Sequence, residues 1–331
     1  VKRLRRIVVF SLAGLALALG GAWIASTISP WPVVLLVRFA FDRGAIAASD
    51  ALRPHVPANV RAAIDVEYRT LPTRRALDVY LPPPDETGAE FRTIVWVHGG
   101  GGVSGTKAQV GNYARILAGR GFAVVAVDSS IAPEATHPQP TLEVDAALRF
   151  LHGQGHRWSL DTKRLVLAGD SAGSHIAAQL ALAHTDRDYR ERLGLEVLPA
   201  GVSIAGLVLC CGIFDPPALD FDGKLGWFLR AAAWAYAGRA DFAEDTTFAL
   251  TALPRFLPRG MPPVFLTAGN ADPLLPQSLA FADALRARDG RVETLFFPAQ
   301  RVPALGHEDQ FTLDDAGREA LAAIVGFVAS L

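Results

Sequence analysis

The chain has 331 residues, 50% of them hydrophobic and 20% charged, with 32 basic against 33 acidic side chains. That length accommodates one large α/β domain plus an appendage, with a core that needs no disulfide or metal staples. The near-neutral balance excludes the basic surface that neutralises nucleic-acid phosphates, so no nucleic-acid partner is expected, and the two cysteines, Cys210 and Cys211, are adjacent, so no disulfide framework and no zinc site can be built from them.

At the N-terminus, Lys2, Arg3, Arg5 and Arg6 precede a run without any charge that lasts until Arg38. Residues 7–28 supply 22 mostly apolar positions, where about 20 suffice to cross a bilayer. They predict an N-terminal transmembrane helix, single-pass, with the basic end cytoplasmic, the membrane as a partner and the rest of the chain extracytoplasmic. The alternative is a secretory signal cleaved near Gly20-Gly21-Ala22, which leaves a secreted protein. Pro30 and Pro32 end this segment. Residues 33–48 read as an amphipathic helix that packs on the globular part, either interfacial or part of a cap. The resulting division is 1–28 anchor or signal, 29–60 linker or cap helix and 61–331 main domain, interrupted by an insertion at 216–258.

From about residue 60, short β-branched runs alternate with helical patterns, the signature of a mostly parallel sheet covered by helices on both faces. Strands are predicted at 64–69, 77–81, 93–98, 123–128, 165–169, 207–211, 264–268 and 292–297, the first two as a hairpin. Helices are predicted at 107–119, 142–151, 171–184, 277–288 and 316–330. The insertion, rich in alanine and aromatics (Trp227, Phe228, Trp234, Tyr236), is too long for a bare loop and is expected to be structured.

Two glycine motifs carry chemistry. Gly169-Asp170-Ser171-Ala172-Gly173 follows the buried run RLVLAG and opens a helical pattern. This strand–turn–helix context exposes the Ser171 hydroxyl on a sharp turn whose crowding demands small neighbours. His98-Gly99-Gly100-Gly101-Gly102 ends another strand, and its glycines let backbone N–H groups converge on one spot, as a tetrahedral oxyanion requires, with the Ala172 N–H as a further donor. No GK[ST] follows, so a phosphate-binding loop is not supported. His98 is expected to orient this loop rather than to act as a base.

A serine hydroxyl needs a base, and the base needs an orienting carboxylate. His175 and His184 lie on the helix that Ser171 opens and do not fold back to it, which leaves His307, in the loop PALGHEDQF, as the base. Asp272, at the carboxyl end of the strand PVFLTAG, is the expected acid; Asp309 is the rival, read as a cap or surface charge. Cys210 and Cys211 read as small core residues.

The combination of HGGG with Gly105, GDSAG, Ile131-Ala132-Pro133-Glu134, the Asp272-Pro273 pair after a late strand and the final His307 resembles the hormone-sensitive-lipase-like carboxylesterase branch of the α/β-hydrolases over residues 60–331. The resemblance implies an α/β-hydrolase fold with a mostly parallel eight-stranded sheet, a helical cap from roughly 30–60 and 216–258, oxyanion donors at Gly100 and Gly101, and no cofactor or metal. The chain departs from the branch at Ser129-Ser130, at Ser174 after GDSAG, at Leu275-Pro276-Gln277, and at Glu308, where the branch carries glycine after the histidine.

The expected function is a serine carboxylesterase or lipase-like hydrolase that cleaves small-molecule or lipid-like esters through an acyl-enzyme on Ser171. The alternatives are an amidase, peptidase or acyltransferase with the same triad, or a non-catalytic ligand-binding protein on the same fold.

Overall fold

The computed structural model describes residues 23–69, 74–83 and 88–331, with a few isolated positions before residue 23. Its eight strands, β1 Arg61–Arg69, β2 Arg75–Leu81, β3 Phe91–Val97, β4 Ala123–Val127, β5 Leu160–Asp170, β6 Ser203–Cys210, β7 Val264–Ala268 and β8 Val292–Phe296, form one sheet in the order β1-β2-β4-β3-β5-β6-β7-β8. β2 runs antiparallel to both β1 and β4, and every later pairing is parallel. This mixed, mostly parallel sheet is that of an α/β-hydrolase fold. The expected β1–β2 hairpin is present; its connection at 70–73 lies outside the described residues.

The helices are α1 Trp31–Leu52, α2 Gly111–Ala118, α3 Gln139–Gln154, α4 Ala172–Thr185, α5 Arg187–Leu193, α6 Gly226–Ala237, α7 Leu275–Arg286 and α8 Asp315–Ser330. Alternation along each strand sends successive side chains to opposite faces. Val95, Val97, Leu165 and Leu167 therefore join α3, α4 and α7 in one core, while Ile94, Trp96, Val166 and Ala168 join α2 and α8 in another. Covered on both sides, the central strands are continuous apolar runs such as Ala123–Val127, buried throughout. The polar sequence of α5 concealed that short helix; the Asp186 side chain caps it by accepting from the Tyr189 N–H at 2.8 Å.

Residues 216–258 are structured, as their length predicted: α6 and several 3-10 turns fill them. Gln277 on α7 anchors the start of this segment, its Oε1 accepting from the N–H groups of Phe214 (3.1 Å) and Asp215 (2.8 Å). α1 lies across α6. Val34 and Val37 are buried with Val103, Ala132 and Ala235, and the Phe41 and Phe228 rings meet edge-on with centroids 5.5 Å apart.

The expectation of an N-terminal transmembrane anchor requires correction, and with it the membrane as partner and the single-pass, extracytoplasmic placement. Among the described residues, no helix is long and apolar enough to cross a membrane. The one helix of suitable length among them, α1, carries Arg38, Asp42, Arg43 and Asp50; its Val34 and Val37 are buried against protein, while Leu35, Leu36, Phe39 and Ile46 are exposed. Half of the expected span itself, residues 7–9, 12, 13, 15–19 and 22, lies outside the described residues.

Arg38 fastens α1 to the domain. Its guanidinium donates to the Val103 carbonyl at 2.5 Å and the Ala132 carbonyl at 2.8 Å, and pairs with both carboxylate oxygens of Glu134 at 2.5 and 2.7 Å. Arg38→Ala should lower stability by about 2–3 kcal/mol, since bonds to a charged group are lost together. A urea titration should show a lower midpoint at an unchanged slope.

Candidate active site

Ser171 stands between β5 and α4 with φ 50° and ψ −120°, a conformation strained for any L residue. Its N–H donates to the Cys210 carbonyl at 2.9 Å, which ties the turn to the neighbouring strand. The flanking glycines are required by contact: a Cβ at Gly173 would collide with the Val97 carbonyl, and one at Gly169 with the backbone of Gly173. Ser174, a departure from the resembled branch, donates from Oγ between the Gly169 (2.7 Å) and Cys210 (2.9 Å) carbonyls and braces the same turn.

The three residues expected to act together meet, though they are far apart in sequence. His307 Nε2 lies 3.0 Å from Ser171 Oγ, and His307 Nδ1 lies 3.0 and 3.1 Å from the two carboxylate oxygens of Asp272. Asp272 Oδ1 also accepts the Leu274 N–H at 2.7 Å, which fixes the carboxylate. The carboxylate assigns the proton of His307 to Nδ1 and leaves Nε2 as the acceptor facing the serine. Burial opposes a charge on His307, but the hydrogen bond and charge of Asp272, with Glu308 and Asp170 behind it, raise its pKa above the ordinary imidazole value. The other histidines are occupied elsewhere: His175 Nδ1 bonds the Ile213 carbonyl at 3.0 Å, and His184 Nε2 bonds Asp145 at 2.7 Å.

Asp309, the rival acid, does not reach His307. It is neither cap nor surface charge: it is buried, its carboxyl oxygens have no hydrogen-bond partner among the described residues, and burial pushes its pKa up to about 6. The cap in this region is Asp314, which accepts from the Gly317 N–H at 2.9 Å.

The glycine loop is held over the serine from below. Gly100, Gly101 and Gly102 have φ of 108°, 63° and 73°, and a Cβ at Gly100 would overlap the Ser104 carbonyl. Among the described residues, the Gly100 and Gly101 N–H groups donate to no other backbone group. His98 Nδ1 lies 2.8 Å from the Gly99 carbonyl. Asp170, the second residue of GDSAG, bridges the two motifs: it accepts from Trp96 Nε1 at 2.7 Å and from the Gly99 N–H at 2.8 Å. Beyond the loop, Lys107 Nζ pairs with Asp65 (2.7 Å) and Asp78 (2.8 Å). The role of Asp170 was not anticipated, although a charged residue in that crowded position was its signal.

Cys211 is buried as expected, and its thiol lies within 4.8 Å of the reacting atoms of Asp272 and His307. Those atoms are already paired with each other and with Ser171, so this group is the acid–base pair with a thiol beside it.

Two spaces adjoin the turn that carries the serine. A cavity of about 1030 Å³ runs under α1 and is lined by Ser171, His307, Glu308 and apolar residues such as Val37, Phe41 and Trp227. A pocket of about 80 Å³ lies on the other side, between Ala172, the glycine loop, Ser130, Ile131 and Tyr236.

Residues 77–285 match the model of the family described as BD-FAE. The chain belongs to the BD-FAE family. It is 26% identical, over 267 residues covering 76% of this chain and 75% of the relative, to an acetyl esterase of Salmonella agona (strain SL483). Among solved structures, Esterase B from Lactobacillus rhamnosis (HN001) superposes with a TM-score of 0.79 at 22% identity, covering 91% of this chain and 95% of that one. An esterase from Pyrobaculum calidifontis gives 0.72 at 22%, covering 90% and 93%. With Ser171, His307 and Asp272 in this geometry, the BD-FAE member is a serine hydrolase.

The base works only when neutral, and its pKa is raised in the folded protein, so activity is lost as pH falls through that raised value. Asp272→Asn removes the main cause of the upward shift and holds the wrong tautomer. It should move the acid limb of kcat/KM to lower pH and reduce kcat by about 10⁴-fold, as read from pH–rate profiles of the two proteins.

Proposed function

We propose that this protein is a carboxylesterase of the hormone-sensitive-lipase-like branch, with residues 61–331 as its catalytic domain and α1 with residues 216–258 as its cap. The observation that carries the reading is the continuous chain from Ser171 Oγ through His307 to Asp272, with both links at 3.0 Å. Ser171 attacks the ester carbonyl as its proton passes to His307 Nε2. The N–H groups of Gly100, Gly101 and Ala172 hold the resulting oxyanion at the N-terminus of α4, and His98 orients the loop through the Gly99 carbonyl. Collapse of the tetrahedral intermediate breaks the ester C–O bond, and His307 gives its proton to the departing alcohol. Water, deprotonated by the same nitrogen, then releases the acid.

Leaving-group chemistry assigns the two spaces. The alcohol oxygen has to lie within reach of His307 Nε2, so the large cavity that His307 lines receives the alcohol. The small pocket, lined by Ala172 and the glycine loop but not by His307, receives the acyl chain. Its size supports a short acyl group, in keeping with the relative named as an acetyl esterase.

A fluorophosphonate probe should label Ser171 in the folded protein, and Ser171→Ala should lose both labelling and about 10⁶-fold in kcat. p-Nitrophenyl acetate and butyrate should be turned over faster than the octanoate. A folded protein that takes no label would overturn the esterase reading, and faster turnover of a matched amide would replace it with an amidase.

A further inference from the structure

Glu308 stands where the resembled branch carries glycine, and its backbone, at φ 62° and ψ 32°, is in the region that glycine adopts most easily. The side chain turns inward. Its Oε1 is 3.9 Å from His307 Nε2, and its carboxyl stands beside that of Asp170. The two carboxyls converge on Gly99, where a Cβ would meet Asp170 Oδ2 and, at 3.1 Å, Glu308 Oε1. Both also line the large cavity beside Ser171.

Two carboxyl groups this close do not readily ionise together, and one of them keeps its proton. Burial raises the Asp170 carboxyl as well, but Asp170 accepts two donated bonds, from Trp96 and Gly99, which favour its anion, so the proton is assigned to Glu308. We propose that Glu308 is a positioning residue for the reaction: protonated, it clamps Asp170 and the oxyanion loop, and ionised, it closes the active site. The proposal rests on the serine-hydrolase reading above.

The consequences follow from where the charge would appear. Burial and the Asp170 charge push the Glu308 carboxyl up to about 7, so its proton leaves to water, through the cavity, near neutrality. A second anion then stands beside Asp170, against the loop where the oxyanion forms and close to His307 Nε2. It opposes the oxyanion and holds a proton on the imidazole. The groups facing this pair give little compensation. His98 and His307 favour the Asp170 anion, whereas Asp272, behind His307, raises Glu308 further, and the Cys210 and Cys211 thiols are held protonated by burial. Asp309 is buried next to Glu308 in the chain. From α1, Asp42 is taken up by Ser104 and Gln109, and Arg38 by Glu134; Asp220 and Lys224 line the same cavity.

The test is the pH profile of kcat/KM for p-nitrophenyl acetate, run beside the pH dependence of fluorophosphonate labelling. The wild-type protein should lose at least about tenfold on the alkaline side, with a midpoint near 7. Glu308→Gln and Glu308→Gly should both retain an acid limb from His307, moved to lower pH because the Glu308 charge no longer raises it, and should lack the alkaline fall. Difference infrared spectra should show a protonated carboxyl that titrates near 7 in the wild type, apart from that of Asp309 near 6, and that is missing from both variants. The glycine variant fits the backbone, so it answers the question should the glutamine variant misfold. Profiles of the folded variants that superimpose on the wild type would overturn the proposal, because a merely structural Glu308 would change stability and leave the alkaline limb in place. Absence of any label on wild-type Ser171 would instead sink the hydrolase reading.

Discussion

The approach of the α4 N-terminus to the end of β3 governs the rest of this active site. Gly173 rests against the Val97 carbonyl with no room for a side chain, and the price of that closeness is a serine held at a strained φ of 50°. Strain of this kind persists only where the surroundings over-determine it. Here they do so through the Cys210 carbonyl on one side, the Ser174 hydroxyl underneath, and Asp170, which carries the constraint across to the glycine loop. The same contact that exposes the nucleophile thereby sets the height of the loop above it.

Asp170 is the joint between two motifs separated by some seventy residues, the glycine loop partner being 71 positions away. Its burial is costly for a carboxylate, and two donated hydrogen bonds only partly offset that cost. A third neighbour, the Glu308 carboxyl, stands beside it and carries the proton in the arrangement proposed above. Electrostatics in this corner is therefore arranged around one shared negative charge close to where another must develop during catalysis. Asp272 supplies a second fixed charge on the opposite side of His307, so the imidazole sits between two carboxylate groups with different tasks.

Above the sheet, the enclosing elements divide the space unequally. α1 and α6 meet through Val34, Val37 and Ala235 and through the Phe41–Phe228 ring contact, leaving a broad apolar cavity on the His307 side and a narrow pocket beyond Ala172. Arg38 keeps this roof in place by bonding carbonyls of the chain that follows the glycine loop and β4. The part of this helix that faces the domain, Val34 and Val37, is packed against protein.

Several features were legible from residues alone because they rest on local rules. The eight strands follow from apolar runs between crossovers, the exposure of Ser171 from a glycine-flanked strand–turn–helix, and the choice of His307 from elimination, since His175 and His184 share the serine's own helix. Asp272 follows from its place at the carboxyl end of β7. Other features depend on distances the chain does not announce. Asp309 and Asp272 are equivalent as sequence near a histidine or a strand end, and only packing buries one without partners and turns the other to His307 Nδ1. The pairing of Asp170 with Glu308, 138 residues apart in sequence, and the unequal volumes on the two sides of the serine, exist only once β5, the glycine loop and the His307 loop converge. Sequence by itself determined which side chains carry the chemistry, because the turn sterics and acid–base character of those residues are local. Tertiary structure decided which charges stand close enough to share a proton, because Coulomb interaction and desolvation depend on separations and burial that only the packed fold sets.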